Sequence, residues 1–334
     1  MIWFLQGQAS QRDIILGALE ALPAGVRVFA SHGGDRPEIT GLAHGSFKEP
    51  EDREERIDWV LRTAIENSIK VVLAGRVGGA YESRRADFER AGITLVTGGM
   101  SKRTFELVDD KANFTAEAER AGLACIPAIP VENPDQLRAA YETLSPTSEV
   151  CIKPVVGIYG QGFWRFKAGV DPFRCFANPD AREVDFETYH RIYSAGPARE
   201  PMLVMPYLPG PECSVDMVCE GGKVVAYVGR RKAGAHQTFE RDTPATDLAV
   251  AAAQHFGCDG IINVQTRDGA DGMPRLLEIN PRYSGGVGYT REAGVNLAGI
   301  FAARRLGLPE PQISWKEGVR IRAITIAVTA PAGL

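Results

Sequence analysis

Gly260-Ile261-Ile262-Asn263-Val264-Gln265 and Leu276-Leu277-Glu278-Ile279-Asn280-Pro281-Arg282 are two apolar-rich runs separated by Asp268-Gly269-Ala270-Asp271-Gly272. The spacer is turn chemistry, so the runs are expected to pair as an antiparallel hairpin. Side chains alternate across a strand, which puts Glu278, Asn280 and Arg282 on one face and Leu277, Ile279 and Pro281 on the other. With symmetric pairing about the turn, Gln265 lies opposite Glu278. One carboxylate and two amide oxygens then converge beside a guanidinium. Hard oxygen donors suit magnesium, which keeps few protein ligands and takes the rest from water and phosphate. A guanidinium there is placed to stabilise a transferring phosphoryl group. The plain alternative is an edge hairpin with a polar solvent face. Against it stands the next segment, Tyr283-Ser284-Gly285-Gly286-Val287-Gly288, whose glycines leave backbone N–H groups open to an anion.

Upstream, the first hundred residues alternate between strand and helix patterns. Ile2–Leu5, Val26–Ala30, Val71–Ala74 and Ile93–Thr97 read as strands. Ile14, Ile15, Ala18, Leu19 and Leu22, then Ile57, Val60, Leu61, Ala64 and Ile65, recur at helical spacing. Residues 32–50 read as loop. This alternation predicts a parallel, doubly wound sheet. A dinucleotide fingerprint is not there: Gly7-Gln8-Ala9-Ser10-Gln11-Arg12 has one of the three glycines needed, and no G-x-x-x-x-G-K-[ST] loop occurs. Beyond residue 107 the reading gives a helix over Asp110–Ala121 and strands at Cys151–Lys153 and Phe163–Phe166. A helix near Asp185–Tyr193 follows. Antiparallel strands are then expected at Leu203–Tyr207, Cys213–Cys219 and Val224–Val228, before a helix over Ala245–Phe256. A closing helix over Gly288–Leu306 and a last strand over Val319–Val328 complete it.

The run Leu277-Glu278-Ile279-Asn280-Pro281-Arg282-Tyr283-Ser284-Gly285-Gly286, followed by Ala293-Gly294-Val295-Asn296-Leu297, resembles the end of the nucleotide-binding lobe in carbamoyl phosphate synthetase-like members of the ATP-grasp superfamily. The resemblance implies that Gln265, Glu278 and Asn280 ligate magnesium and that Arg282 contacts the γ-phosphate and an acyl phosphate. Asp110-Lys111 and Cys151-Ile152-Lys153-Pro154 match the family's two phosphate-binding cations, Lys111 and Lys153. A lysine in an apolar strand also needs an anionic partner on physical grounds, because burying an ammonium alone is costly. Val155-Val156-Gly157-Ile158-Tyr159-Gly160-Gln161-Gly162 resembles the glycine loop that closes over the triphosphate, which assigns Gly157, Gly160, Gln161 and Gly162 to nucleotide contact. Ile158-Tyr159 departs from the small residues frequent there. Met205-Pro206-Tyr207-Leu208 resembles the adenine hinge, although many relatives carry an acid at its start. Glu212 matches the ribose acceptor and Asp216 is a further candidate. Arg230-Arg231-Lys232 lies where the family approaches the acceptor substrate, which makes Arg230 and Lys232 catalytic candidates beside Lys153 and Arg282. The N-terminal segments Gly75-Arg76, Arg84, Phe88-Glu89 and Ala91-Gly92-Ile93 resemble ATP-grasp proteins encoded with tellurium-resistance genes.

Bulk properties are compatible with this. The chain has 334 residues, 44% hydrophobic and 24% charged, with a formal net charge of −4, which gives no support to nucleic-acid or anionic-membrane binding. No apolar run approaches the ~20 residues of a membrane helix. Six scattered cysteines without C-x-x-C fit reduced, core-filling residues of a cytoplasmic protein. The expected fold is α/β: an N-terminal Rossmann-like parallel-sheet domain (1–106), then a two-lobed ATP-grasp fold with a small lobe (107–200) and a large lobe (201–334). The expected activity is ATP- and magnesium-dependent ligation of a small-molecule carboxylate to an amine through an acyl phosphate. A kinase-like phosphotransferase and a non-catalytic nucleotide-binding regulator are the alternatives. Oligomeric state is written in no motif, and a homodimer is the default for a soluble enzyme.

Overall fold

The computed structural model describes residues 1–156, 160–197 and 200–327. Five short strands, β1 (Ile2–Phe4), β2 (Val28–His32), β3 (Gly45–Lys48), β4 (Val71–Leu73) and β5 (Thr94–Val96), form a sheet of order β3-β2-β1-β4-β5. Every neighbouring pair in it is parallel, as the strand–helix alternation predicts. β3 was expected to be loop. It is an edge strand, Gly-Ser-Phe-Lys, with one apolar side chain, so hydrophobic periodicity cannot mark it.

β6 (Gly98–Gly99) follows. β7 (Ile129–Val131), β8 (Val150–Pro154), β9 (Trp164–Phe166), β10 (Glu183–Val184) and β11 (Met202–Pro206) make a second sheet, order β10-β9-β8-β11-β7. The third sheet joins β12 (Glu212–Glu220), β13 (Lys223–Ala233), β14 (His236–Glu240), β15 (Cys258–Asp268), β16 (Pro274–Asn280) and β17 (Arg320–Ile321) in the order β16-β15-β12-β13-β14-β17, with β6 pairing to β15. The mixed α/β fold class is the one expected. The chain divides into two compact units. One comprises residues 1–106, 211–266 and 278–334; the other comprises 107–210 and 267–277.

In the first unit, β1, β2, β4 and β5 share a single core with β12, β13, β15 and the helix Leu297–Arg305. That helix packs on Gln11–Ala21, where Gly17 and Gly299 bring the two backbones close. A Cβ on Gly17 would meet Asn296 and Ala298, and one on Gly299 would meet Ala21. The closing helix is shorter than expected. Val287–Arg291 is a 3₁₀ turn and the α-helix starts only at Leu297. Gly294 sits at φ +84° with its Cα against the Ser314 carbonyl, and Asn296 caps the new start by accepting from the Gly299 N–H at 2.9 Å. The last strand also shrinks, to Arg320–Ile321 on the β14 edge. Ile324 and Ile326 continue the alternation but are exposed, and Val328 lies outside the described residues.

All six cysteines are free. Burial pushes the Cys151 and Cys258 thiols up to about 12, and raises those of Cys213 and Cys219 as well. None of these four is a thiolate nucleophile near neutrality. No described helix is long and apolar enough to cross a membrane.

Residues 281–284 are fixed onto the N-terminal segment at two glycines, Gly7 after β1 and Gly98 in β6. Gly98, at φ +111°, leaves no room for a Cβ against the Pro281 carbonyl, and Gly7 leaves none against the Tyr283 ring. Ser10 Oγ donates to the Ser284 carbonyl at 2.8 Å. Gly98→Ala therefore combines a strained φ with a backbone overlap that no side-chain rotation relieves. It is expected to cost about 2–4 kcal/mol, read as a lowered denaturation midpoint. The control Gly169→Ala, also at positive φ but in open space, is expected to cost less.

Candidate functional site

The residues singled out in the sequence fall into both units, and each unit carries a coherent set. In the unit containing 107–210, β8 is flanked by β11 and β9, with Lys153 paired to Leu203 and Cys151 to Met205. Alternation sends Val150 and Ile152 into one core. Cys151 and Val155 enter another, together with Leu203 and Met205. Lys153 lies on the Cys151–Val155 face and is half-buried. Its charge works against the upward shift of the Cys151 thiol, although burial dominates. Lys111 opens the helix Lys111–Arg120, capped by Asp110, whose carboxylate accepts from the Ala112 and Asn113 N–H groups. Its Nζ donates to the Val155 carbonyl at 3.3 Å, at the entry to the glycine loop. Within that loop Gly160 and Gly162 adopt φ +64° and +72°, conformations that favour glycine, and Gln161 is exposed. Gly157 lies outside the described residues.

The hinge Met205–Leu208 leaves β11 on a short tether. The Tyr207 N–H donates to the Glu149 carbonyl at 2.7 Å. Its ring lies 4.2 Å from the Arg165 guanidinium and 5.4 Å from that of Arg267. Arg267 also donates to the Gly210 carbonyl at 2.9 Å. Pro206 and Leu208 are half-buried and Met205 is buried. Met205, Pro206 and Leu208 offer backbone polar groups and apolar surface to a planar ring, while the two guanidinium charges gather at the Tyr207 ring.

In the other unit, β16 presents its face as expected. Asn280 Nδ2 donates to Glu278 Oε1 at 3.0 Å, and Arg282 donates to Asn280 Oδ1 at 3.1 Å. Carboxylate and amide therefore stand on one face at the end of β16, and the guanidinium of Arg282 reaches back to them from the segment that follows. Arg282 has no carboxylate ion pair among the described residues. Gln265 is half-buried on the adjacent strand β15 but hydrogen-bonds to none of the three among the described residues. The described residues contain no group of three or more His, Cys, Asp or Glu able to hold a metal. One carboxylate with amide oxygens is a donor set that fits magnesium only with phosphate or water completing its shell.

On β12 and β13, Glu212, Ser214 and Asp216 share a face with Arg230 and Lys232. At its exposed end Lys232 Nζ lies 2.8 Å from Glu212 Oε1. At its buried end Arg230 Nε donates to Asp216 Oδ2 at 2.6 Å. The other Arg230 nitrogens donate to Gln237, Ser214 and Ser284 at 2.9, 3.1 and 2.8 Å. Asn263 adds hydrogen bonds to Ser214 and Asp216 at 2.9 and 3.0 Å.

This changes two expectations. Asp216, with no exposed surface and both oxygens engaged, has no free edge for a ribose hydroxyl. Arg230 is 4% exposed with each nitrogen committed, which leaves none free to meet a substrate. The glycine-rich segment also differs from its reading. The Gly286 N–H donates to Ser284 Oγ at 3.1 Å, and a Cβ there would overlap the Arg230 guanidinium. Ser214, Asn263 and Ser284 were not singled out as site residues. Their signal was present, as polar residues interrupting apolar runs, but it does not say with whom they pair.

Comparison with known proteins agrees with this architecture. Residues 198–327 match a family described as ATP-grasp in the biosynthetic pathway with Ter operon. The chain is 27% identical over 236 residues to the arginine-specific carbamoyl phosphate synthase large chain of Geobacillus stearothermophilus, covering 66% of this chain and 20% of that one. The chain thus spans about one fifth of that relative's length. An ADP complex of N5-carboxyaminoimidazole ribonucleotide synthetase superimposes with a TM-score of 0.68 at 17% identity, over 94% of this chain and 78% of that one. The L-amino acid ligase of Bacillus licheniformis gives 0.63 at 16%, over 92% and 74%. The resemblance to ATP-grasp proteins read from the sequence is shown in the fold.

Removing Arg230 alone would leave the Asp216 carboxylate buried without its partner. Arg230→Met is expected to lower stability by roughly 3–5 kcal/mol. The double change with Asp216→Leu should recover part of that, because no charge then remains buried; paired denaturation midpoints read both.

Proposed function

We propose that this chain, which has the ATP-grasp fold, is an ATP-dependent carboxylate–amine ligase working through an acyl phosphate. The observation that carries the reading is the Glu278–Asn280–Arg282 array, an acid and an amide at the end of β16 and, two residues on, a guanidinium with no carboxylate partner among the described residues. A carboxylate is a poor electrophile at neutral pH, and phosphorylating one of its oxygens creates a leaving group that an amine can displace. Donor and acceptor are both anionic, so the protein's main contribution is cations and positioning.

In this reading Lys111 and Lys153 neutralise nucleotide phosphates, and Met205–Leu208 holds the base through backbone groups. Glu212 accepts from the ribose, with Lys232 beside it. Gly157, Gly160, Gln161 and Gly162 cover the phosphates and exclude water from the activated acid. Magnesium, held by Glu278 and Asn280 with Gln265, would supply charge neutralisation at the phosphates. Arg282 stabilises the equatorial oxygens during transfer. Arg230 acts through Ser284, fixing the segment that follows Arg282. The raised thiol pKa values of the buried cysteines fit direct transfer without a thiol-bound intermediate.

The test is ADP release with magnesium and ATP against pooled carboxylates, with hydroxylamine as the amine. Carboxylate-dependent ADP and hydroxamate are expected. Glu278→Ala should lower both by about a hundredfold or more, as loss of a charge-stabilising contact at a transfer site does. A stable phosphorylated alcohol instead of hydroxamate would move the chain to the phosphotransferases. ATP binding without turnover would make it a regulator.

A second prediction separates the lysines from the hairpin. Lys153→Met should weaken ATP binding by about tenfold or more, the loss of one charge-assisted phosphate contact. Nucleotide-free stability should stay near wild type, as the lysine is half-buried in a strand that keeps its ladder. Unchanged ATP affinity in this variant, measured calorimetrically, would remove Lys153 from the nucleotide site.

A further inference from the structure

We propose that the cleft at the carboxyl ends of the N-terminal strands is a subsite for a small carboxylate, with Arg76 as its clamp. Naming that carboxylate as the acid to be activated rests on the ligase reading. The cleft is a cavity of about 240 Å³ lined by Leu5, Gln6, Glu49, Arg56, Arg76 and Tyr81, among others. It falls below the ~300–1,000 Å³ of drug-sized sites and holds about eight waters at ~30 Å³ each, so its ligand is small.

Its location has a topological cause. In the order β3-β2-β1-β4-β5 the sheet grows one way from β1 to β2 and the other way from β1 to β4. The connections leave on opposite sides and open a crevice beyond the carboxyl ends of β1 and β4, where parallel sheets collect ligands. Gln6 follows β1 and Arg76 follows β4.

The charge balance selects the ligand. Glu49 is buried and committed: one oxygen accepts from the Gln6 N–H and from Ser31 Oγ, both at 2.7 Å, and the other lies 3.6 Å from Arg56 Nε. Arg56 is further engaged by the Pro50 and Glu51 carbonyls at 2.8 and 3.0 Å. Arg76 lines the cavity, is exposed, and pairs with no carboxylate among the described residues. One uncompensated guanidinium is left, a fork that matches a carboxylate through two hydrogen bonds.

The base of that fork is built into the fold. Gly75, at φ +61°, turns so tightly that a Cβ would overlap the Gln6 carbonyl, and the Arg76 N–H donates to that same carbonyl at 3.0 Å. A second donor lies close by. The Tyr283 hydroxyl is buried against Gly7 and has no hydrogen-bond partner among the described residues. Burial first, then the neighbouring Glu49, holds its proton on, and it lies within the field of Arg76.

The test is calorimetric titration of the full chain, without nucleotide, with acetate, L-alanine, L-glutamate and citrate, and with inorganic phosphate as the anion control. At least one carboxylate is expected to bind wild type more tightly than phosphate does. Arg76→Gln should weaken it by about tenfold or more, the loss of a bidentate ion pair, while MgATP affinity, the control for intact folding, stays unchanged. In the ADP-release assay the same variant should raise KM for the acid by about tenfold with kcat nearly unaltered, the pattern of a lost binding contact. Equal carboxylate affinity in wild type and Arg76→Gln, phosphate binding as tightly as every acid, or no acid binding at all overturns the proposal. The two readings fail separately. Arg76-dependent acid binding in a chain that releases no ADP keeps the subsite and removes the ligase. Acid-dependent ADP release with an unchanged KM in Arg76→Gln keeps the ligase and removes the subsite.

Discussion

The ion pair between Arg230 and Asp216 is the constraint on which the first unit depends. Both side chains are buried, and two charges taken out of water are favourable only when nearly every donor and acceptor is satisfied. Here Arg230 spends its nitrogens on Asp216, Gln237, Ser214 and Ser284, and Asn263 closes the remaining side of Asp216. The partners come from β12, β14, β15 and the segment after β16. A slip of one strand by one residue would send its polar member to the other face and leave the pair incomplete. The pair therefore specifies register across the sheet more than it adds stability. Through Ser284 it also fixes where the chain goes after Arg282.

That exit is held from the other side by residues of the N-terminal segment. Pro281 and Tyr283 rest on Gly98 and Gly7, and Ser10 holds the Ser284 carbonyl. Arg282, the one residue of the four that points elsewhere, is thus bracketed by two anchored neighbours. In the proposed reaction Arg282 meets a transient charge, a task that is easier when little reorganisation is left to do, and this bracket would supply that restraint. It also explains why residues 1–106 share a core with 211–266 and 278–334.

Much of this was legible in the sequence, and the parts that were not have physical causes. The β16 face followed from period-two alternation, and the parallel sheet from strand–helix alternation. β3 was hidden because an edge strand needs only one core-facing side chain, the half-buried Phe47. The break before Leu297 was hidden because Gly294 stops the helix by a close approach to Ser314, distant in sequence. Asp216 read as a candidate nucleotide contact because alternation tells which face a residue takes, but not whether another element covers that face. Arg230 read as a catalytic candidate for the same reason. The strand setting of Lys153 was legible, since it lies half-buried between apolar neighbours of β8.

In the proposed reaction a carboxylate oxygen of the substrate attacks the γ-phosphorus and leaves with the phosphate when the amine displaces it. The direct measurement is oxygen transfer from an acid labelled with heavy oxygen at both carboxylate positions, followed by phosphorus NMR of the released phosphate. One labelled oxygen is expected in each phosphate formed with product. Unlabelled phosphate, released in step with ADP and amide, would contradict it.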